Sequence, residues 1–547
     1  MTPYQSIWEN FRFLVVEVLK QVEGTFDNLN HPTNEKIDAI HIRDNYIDNL
    51  KSIIERKCFF VAHSCEKDDK TIDQLIALRT IAANLERIAD HSVNIAKQTR
   101  HFQDRDFIHN YNFEIFFEEI LAALKLVDEA VSRNDVTLGL RICRAEFQLD
   151  QLFARVFQTI LQDLKLGSQI GNLITTLFIF RYLERMGDCL LNIGEAILSA
   201  HIGERLKIRQ YQALEESLAA AAKAEIPLGE LEYEAMQETR SGARVGKVGS
   251  LTPIANDTHG VIFKEGAVSK IMVEKQNLER WGKLRPGLIP RVFDYQEYGN
   301  NASLLVEYLP GYNFQELVLN YSDRTAEEAL GHIANTIFGI WRETRYDKSL
   351  NAGYISQLDS RLKDIIRIHP SFRMEAGSIG GVKFYPLKEL LEQSAVLEEK
   401  LPVGFTTLIH GDFNIDNILY EPASKAVHFV DLHRSRESDY VQDISVFLVS
   451  NVRLPVYEAD IRRRLNRLAL SFLARAREFA ASQKDELFEA RLALGLSRSL
   501  ATSTRFVLKA DFAQNMFLRA IYLLEKLAAH QGKPYEDFRL ADEVVEF

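Results

Sequence analysis

A chain of 547 residues exceeds what one hydrophobic core usually supports, so two or three domains are expected. Its 46% hydrophobic and 26% charged residues are ordinary for a globular protein and speak against a disordered or fibrous class. The net charge of −11 gives no reason to expect a nucleic-acid partner, and no unbroken apolar run approaches the ~18 residues that a membrane helix needs. The opening MTPYQSIWENFRF lacks a basic region followed by an apolar one, so no secretory signal is expected. Cys58, Cys65, Cys143 and Cys189 show no CxxC pairing and read as buried thiols in a reducing cytoplasm.

From the N-terminus to the low 220s the apolar residues recur at helical spacing, with Gly and Pro scarce. Leu78, Ile81, Leu85, Ile88 and Ile95 form one stripe, and Ile179, Leu183, Met186 and Ile193 repeat most of it. The polar signature repeats with it, LERIAD at Leu85–Asp90 against LERMGD at Leu183–Asp188, and DNYIDNL at 44–50 is loosely echoed by EFQLDQL at 146–152. This is the mark of a duplicated up-and-down helical unit. In each signature the E-x-x-x-D spacing puts both carboxylates on one helix face about one turn apart. Two such pairs brought together by pseudo-symmetry would suit metal ions, and the plain alternative is that each carboxylate pairs with arginines or faces water.

The duplication and its LERIAD and LERMGD motifs resemble the PhoU family over roughly residues 11–200. The resemblance implies two three-helix units, a role in phosphate-uptake signalling with a signalling protein as candidate partner, and a metal in the bundle, with a transition metal as candidate. By motif match the ligands are Glu86, Asp90, Glu184 and Asp188, with Asp48 and Asp150 as contributors; His91 extends only the first copy, where the second has Cys189.

Leu218–Ala224 continues a helix that Pro227 should stop, which places the domain boundary near 225–230. An acidic stretch follows, and from about 240 the pattern changes to short β-type runs: Val245–Val248, Leu251–Ala255, then an NDTHG turn at 256–260 and the strand Val261–Lys264, broken by Glu265-Gly266. AVSKIMVEKQNLERW reads as a helix with Val268, Ile271, Leu278 and Trp281 as apolar positions. Arg291–Tyr298 and Ser303–Leu309 read as two more strands, ended by Pro310-Gly311. Amphipathic helices fill 311–400, interrupted by a turn-rich insertion at 370–383.

The stretch LIHGDFNIDNILYEPASKAVHFVD at 408–431 holds the chemistry. Two apolar β-type runs flank a loop loaded with Asp and Asn, and a third, Val427–Val430, delivers Asp431 at its end. Phosphoryl transfer needs a carboxylate to orient and deprotonate the acceptor hydroxyl, and oxygen ligands for Mg²⁺. Asp412, Asn417 and Asp431 follow the order of the kinase signature H-R-D-L-x-x-x-N and D-F-G, with Gly411 in place of Arg.

His410-Gly411-Asp412 with Asn417, Asp431 and the run DYVQDI at 439–444 resemble the aminoglycoside phosphotransferase and choline kinase superfamily. The resemblance implies that Asp412 is the base, that Asn417 and Asp431 hold Mg²⁺, and that Asp443 braces the site; His410 reads as shaping the loop. It also implies a nucleotide-binding lobe in which Lys264, closing the strand VIFK, holds the ATP phosphates with Glu274 as partner, Lys270 being the competitor. EYLPG at 307–311 resembles the hinge, so the backbone of Glu307 and Tyr308 meets the adenine, and the loop Ser241-Gly242-Ala243 covers the phosphates without the G-x-G-x-x-G pattern.

The expected architecture is therefore a PhoU-like all-α duplicated three-helix bundle with a connecting helix over residues 1–225, followed over 226–547 by an α+β two-lobed protein-kinase-like domain, its lobes at about 230–310 and 311–547. The expected activity is ATP- and Mg²⁺-dependent transfer to a hydroxyl of a small-molecule acceptor, in a cytoplasmic protein with a homo-oligomer as candidate state. The rival is a phosphate- or metal-responsive regulator whose kinase-like domain binds nucleotide with little or no turnover.

Overall fold

A computed structural model describes residues 3–64, 69–202, 231–235, 244–250, 261–373, 377–379, 382–384 and 386–546. The chain divides into two compact units, Met1–Glu265 and Gly266–Phe547. The connecting helix, the boundary at 225–230, the loop 241–243, the expected strand 251–255 and its turn 256–260 lie outside the described residues.

The first unit opens with six long helices in two runs of three: α1 (Pro3–Asn30), α2 (Asn34–Ser64) and α3 (Asp69–Gln98), then α4 (Glu114–Arg133), α5 (Val136–Lys165) and α6 (Ile170–Ile202). The duplicated stripe is its core. Leu85, Ile88, Leu183 and Met186 are fully buried, and Phe180 stacks on Phe113 with ring centroids 4.3 Å apart. The α4–α5 turn is written in local chemistry: Asn134 ends α4 in the left-handed region (φ 51°), and the Asp135 side chain caps α5 by accepting from Leu138 N at 3.1 Å. At Gly194 α6 packs tightly on α5, since a Cβ there would collide with Cys143 Sγ and with the Gly139 carbonyl oxygen. Cys58, Cys143 and Cys189 are free and buried, and burial pushes their thiols up to about 11, 12 and 11, so they stay protonated. Cys65 lies outside the described residues.

Three antiparallel strands complete this unit: β1 (Leu231–Ala235), β2 (Arg244–Ser250) and β3 (Val261–Ala267), with Val245 opposite Lys264. β1 is a departure from the expected acidic linker. Its LEYEA alternates apolar and charged residues with period two, a strand pattern that the glutamates disguise as a charge run. β3 also runs on through Glu265-Gly266 instead of breaking there.

The second unit begins with α7 (Val268–Leu284) and the hairpin of β4 (Val292–Tyr298) and β5 (Asn301–Glu307). Then come β6 (Tyr312–Asn313), α8 (Phe314–Asn320), α9 (Asp323–Glu343) and α10 (Tyr354–Ile368), with a two-stranded insertion, β7 (Gly377–Ile379) and β8 (Val382–Phe384), before α11 (Leu387–Glu398). Four short strands frame the polar loop: β9 (Thr407–Ile409), β10 (Ile418–Glu421), β11 (Ala426–Phe429) and β12 (Arg436–Ser438). β10 lies between β11 and β6, and β12 pairs with β9. Helices α12 (Val441–Val452), α13 (Ala459–Ser482), α14 (Phe488–Ser503) and α15 (Ala510–Ala529) close the unit. Every residue of α12 is buried, so this helix is the unit's central post. Among the described residues no helix is long and apolar enough to cross a membrane.

Candidate active site

The loop 410–417 hangs between β9 and β10, and the segment that follows β11 runs beside it. Asn417 joins the two: its Nδ2 donates to the Asp412 carbonyl at 2.9 Å, and its own carbonyl accepts from Val430 N, next to Asp431, at 3.1 Å. Asn417 thus ties the backbone of Asp412 to that of Val430, the residue before Asp431, which keeps the loop and the strand end side by side. Asp431 adopts φ 62° and ψ 52°, a left-handed backbone that non-glycine residues seldom take and that recurs at functional sites.

Asp443 braces the loop from α12. Its carboxylate accepts from His410 N at 2.7 Å and Gly411 N at 2.8 Å, while Gln442 Nε2 donates to the Gly411 carbonyl at 3.0 Å. Complete burial pushes Asp443 up to about 7, against the pull of those two amide donors toward the ionised form. His410 is enclosed by Trp281, Phe413 and Phe429, and burial pushes its imidazole down to about 4, so it is neutral and shapes the loop. Gly411 has φ 84°, and a Cβ there would lie inside contact distance of the Arg434 carbonyl, so only glycine lets the two loops cross.

Both carboxylate oxygens of Asp412 are engaged: Oδ1 accepts from Asn414 Nδ2 at 2.7 Å, and Arg434 Nη1 stands 3.2 Å from Oδ2. The sequence reading assigned no role to Asn414 or Arg434. Asn414 lies within the motif loop, but nothing in a sequence shows which way Arg434 turns. Helix α7 grips the far side of the same segment, with Asn277 Nδ2 donating to the carbonyls of Leu432 (2.8 Å) and Ser435 (3.1 Å) and Trp281 Nε1 to Ser435 Oγ (2.7 Å). Glu274, on that helix, is buried, and its charge offsets the fall that burial imposes on His433. Lys264 is also buried, whereas Lys270 is half-buried. At the expected hinge the Glu307 carboxylate is held by Arg291, with Nε and Nη2 each 3.0 Å away, and the Glu307 amide donates to the Arg291 carbonyl at 2.9 Å. Tyr308 is half-buried beside it.

The bundle carboxylates sit in different company in the two copies. In the second, Glu184 pairs with Arg181 at 2.7 Å and Asp188 with Arg185 at 2.6 Å. In the first, Asp44, Asp48, Glu86 and Asp90 face one another with Lys51 3.9 Å from Glu86, and Glu86 hydrogen-bonds Asp48. Burial, with their mutual repulsion, pushes Asp44 up to about 6 and Glu86 up to about 7 and raises Asp90. His91 has no hydrogen-bond partner for either ring nitrogen among the described residues, and its ring lies 5.9 Å from that of Tyr182. Among the described residues no group of three or more His, Cys, Asp or Glu side chains is placed to hold a metal ion.

The first-copy cluster has a pH consequence. Carboxyls whose folded pKa lies above the ordinary range bind more protons folded than unfolded, so they stabilise at low pH and lose that contribution as pH rises through about 6 to 7. The thermal midpoint of the first unit is expected to fall between pH 5 and pH 8, and Asp48→Asn to flatten that slope; thermal scans of the full chain across this range are the check.

Comparison with known proteins gives a match for each part of the chain. The PhoU domain matches residues 14–99 and 114–197, and the ecdysteroid kinase-like family matches 327–466, a span that contains the whole loop from His410 to Asp443. The phosphate-specific transport system accessory protein PhoU homolog of Clostridium acetobutylicum is 23% identical over 193 residues, 35% of this chain and 88% of that protein. Among solved structures, aminoglycoside-3′-phosphotransferase of type VIII aligns with 52% of this chain and 98% of its own, at 20% identity and a TM-score of 0.33. Choline kinase from Cryptosporidium parvum Iowa II aligns with 57% of this chain and 94% of its own, at 11% identity and a TM-score of 0.35. The chain carries PhoU domains in its N-terminal part and an ecdysteroid kinase-like domain in its C-terminal part.

Proposed function

We propose that the C-terminal part transfers the γ-phosphoryl group of ATP to a hydroxyl of a small molecule, and that the PhoU-like part regulates it. The observation that supports this most is that Asn417 hydrogen-bonds the Asp412 carbonyl and the amide of Val430, the residue before Asp431, so the loop and the strand end lie side by side. In this reading Asp412 takes the acceptor's proton as the new O–P bond forms and the bond from the γ-phosphorus to the departing ADP oxygen breaks. Asn417 and Asp431 supply hard oxygen donors of the kind Mg²⁺ prefers, and with Nδ2 of Asn417 committed to Asp412, its Oδ1 is the atom left for a cation. Bound there, Mg²⁺ would offset charge on the transferring phosphoryl group. Lys264 and Glu274 are assigned to the nucleotide phosphates, and the backbone of Glu307 and Tyr308 to the adenine.

One observation favours the rival regulator: Arg434 and Asn414 already occupy the carboxylate that should receive the acceptor. The two readings part in a labelled-ATP assay with Mg²⁺. Asp431→Asn is expected to raise the Mg²⁺ concentration for half-maximal transfer about tenfold or more, the scale on which weakened ligand sets lose metal. Nucleotide binding without transfer to any acceptor, or a Mg²⁺ dependence indifferent to this change, refutes the catalytic reading.

A further inference from the structure

Next to Gly411 the second unit has a cavity of about 520 Å³, a size suited to a small metabolite. Its wall is unusual in charge. Arg361 from α10, Arg434 and Arg436 from the segment after Asp431, Arg498 from α14 and Arg505 from the turn that follows α14 all line it. The carboxylates paired with these five are few: Asp412 stands 3.2 Å from Arg434, and Asp364 stands 3.7 Å from Arg505. Among the described residues Arg436 Nη2 donates to the neutral Gln442 Oε1, at 3.1 Å. Arg498 goes further, for its Nε and Nη2 are shut off from solvent with no hydrogen-bond acceptor among the described residues. Its guanidinium carbon lies 5.7 Å from the centroid of the buried Tyr354 ring, a contact that supplies no acceptor oxygen.

Enclosing a guanidinium without a counter-ion is unfavourable, and proteins keep such an arrangement where a ligand completes it. Burial drives the Arg498 pKa down and the charges of Arg434 and Arg436 add to the fall, against the opposing pull of Tyr354 and Asp412. Arg434 adjoins the proposed base and is placed for the transferring phosphoryl group. Arg361, Arg498 and Arg505 come from other segments and exceed what that group requires.

We propose that the arginine-lined cavity beside Gly411 seats an anionic group of the acceptor, a phosphate or a carboxylate, so that the substrate is a hydroxyl compound already carrying negative charge. This rests on the phosphotransferase reading for the word acceptor, while the anion site stands on the cavity alone. Guanidinium forks bind both kinds of anion bidentately. An amine or quaternary ammonium compound is repelled from the same wall.

The test uses the full chain with Mg²⁺. Calorimetry with inorganic phosphate is expected to show saturable binding, weakened at least tenfold in Arg361→Gln and in Arg498→Gln. Arg361 is exposed, so its variant folds even if the half-buried Arg498 change does not. Displacement of the phosphate by gluconate assigns a carboxylate site, and displacement by glucose 6-phosphate alone assigns a phosphate site. Absence of phosphate binding, binding unchanged in Arg361→Gln, or displacement by glucosamine as effective as by either anion overturns the inference. Labelled ATP is then supplied with glucose, glucosamine, gluconate and glucose 6-phosphate, and transfer is expected to favour the anionic members, with the KM for ATP unchanged in Arg361→Gln. Preferential transfer to glucose or glucosamine overturns the inference and leaves the phosphotransferase reading intact. Arginine-dependent phosphate binding in a protein that transfers to no hydroxyl compound does the reverse.

Discussion

Asp412→Ala is expected to lower transfer from ATP by about 10²- to 10⁴-fold, the range that a positioned general base contributes, with nucleotide binding intact. The expectation follows from where the side chain sits. Its loop is pinned by Asp443 on one side and by Asn417 on the other, so loss of the carboxylate leaves the backbone in place. Two consequences separate lost chemistry from lost structure. Asn414 and Arg434 lose a partner but lie at the surface or half-buried, so the unfolding midpoint should move little. The deficit should fall on kcat, since hydroxyl deprotonation belongs to the transition state. Initial rates at saturating ATP in wild type and variant are the measurement, and a variant within a few-fold of wild type removes Asp412 from the mechanism.

Arg491→Leu is expected to be the most damaging change to stability. Arg491 is almost wholly buried and holds two buried carboxylates, Asp439 at 2.9 Å and Asp485 at 2.6 Å, to which Tyr354 (3.1 Å) and Tyr440 (2.6 Å) also donate. Removing the cation leaves two carboxylates enclosed without a counter-charge, a loss of about 3–5 kcal/mol in comparable buried pairs. Asp439 also starts α12, where its Oδ1 accepts from Val441 N at 3.2 Å, and α12 carries Gln442 and Asp443 to the loop. A lower urea midpoint for the second unit should therefore come with reduced transfer even under native conditions. A midpoint unchanged in urea titrations would show that the network contributes no net stability.

The candidate site was legible in the sequence because it is local. Asp412, Asn417 and Asp431 lie on one loop and one strand end, so their spacing alone carries the pattern, and Asp443 follows on the next helix. The duplicated bundle was legible for a similar reason, since each copy repeats its own apolar stripe. What the sequence hid depends on distant residues meeting. Arg361, Arg434 and Arg498 belong to separate segments, and nothing in their neighbours indicates a common wall. The split behaviour of the bundle carboxylates is intermediate. Arg181 and Arg185 stand within a turn of Glu184 and Asp188, so their pairing could be foreseen, whereas the convergence of Asp44 and Asp48 on Glu86 needed the helix packing. β1 was concealed by its glutamates, which make an alternating sequence read as a charge run.

The crossing at Gly411 limits what this loop can become. The H-R-D form of the motif requires a side chain where the Arg434 carbonyl now lies, so no single substitution leads from one arrangement to the other. The two segments would first have to part, undoing the Asn417 link between the loop and the strand end, and any lineage that keeps this crossing is sterically confined to the glycine version of the loop.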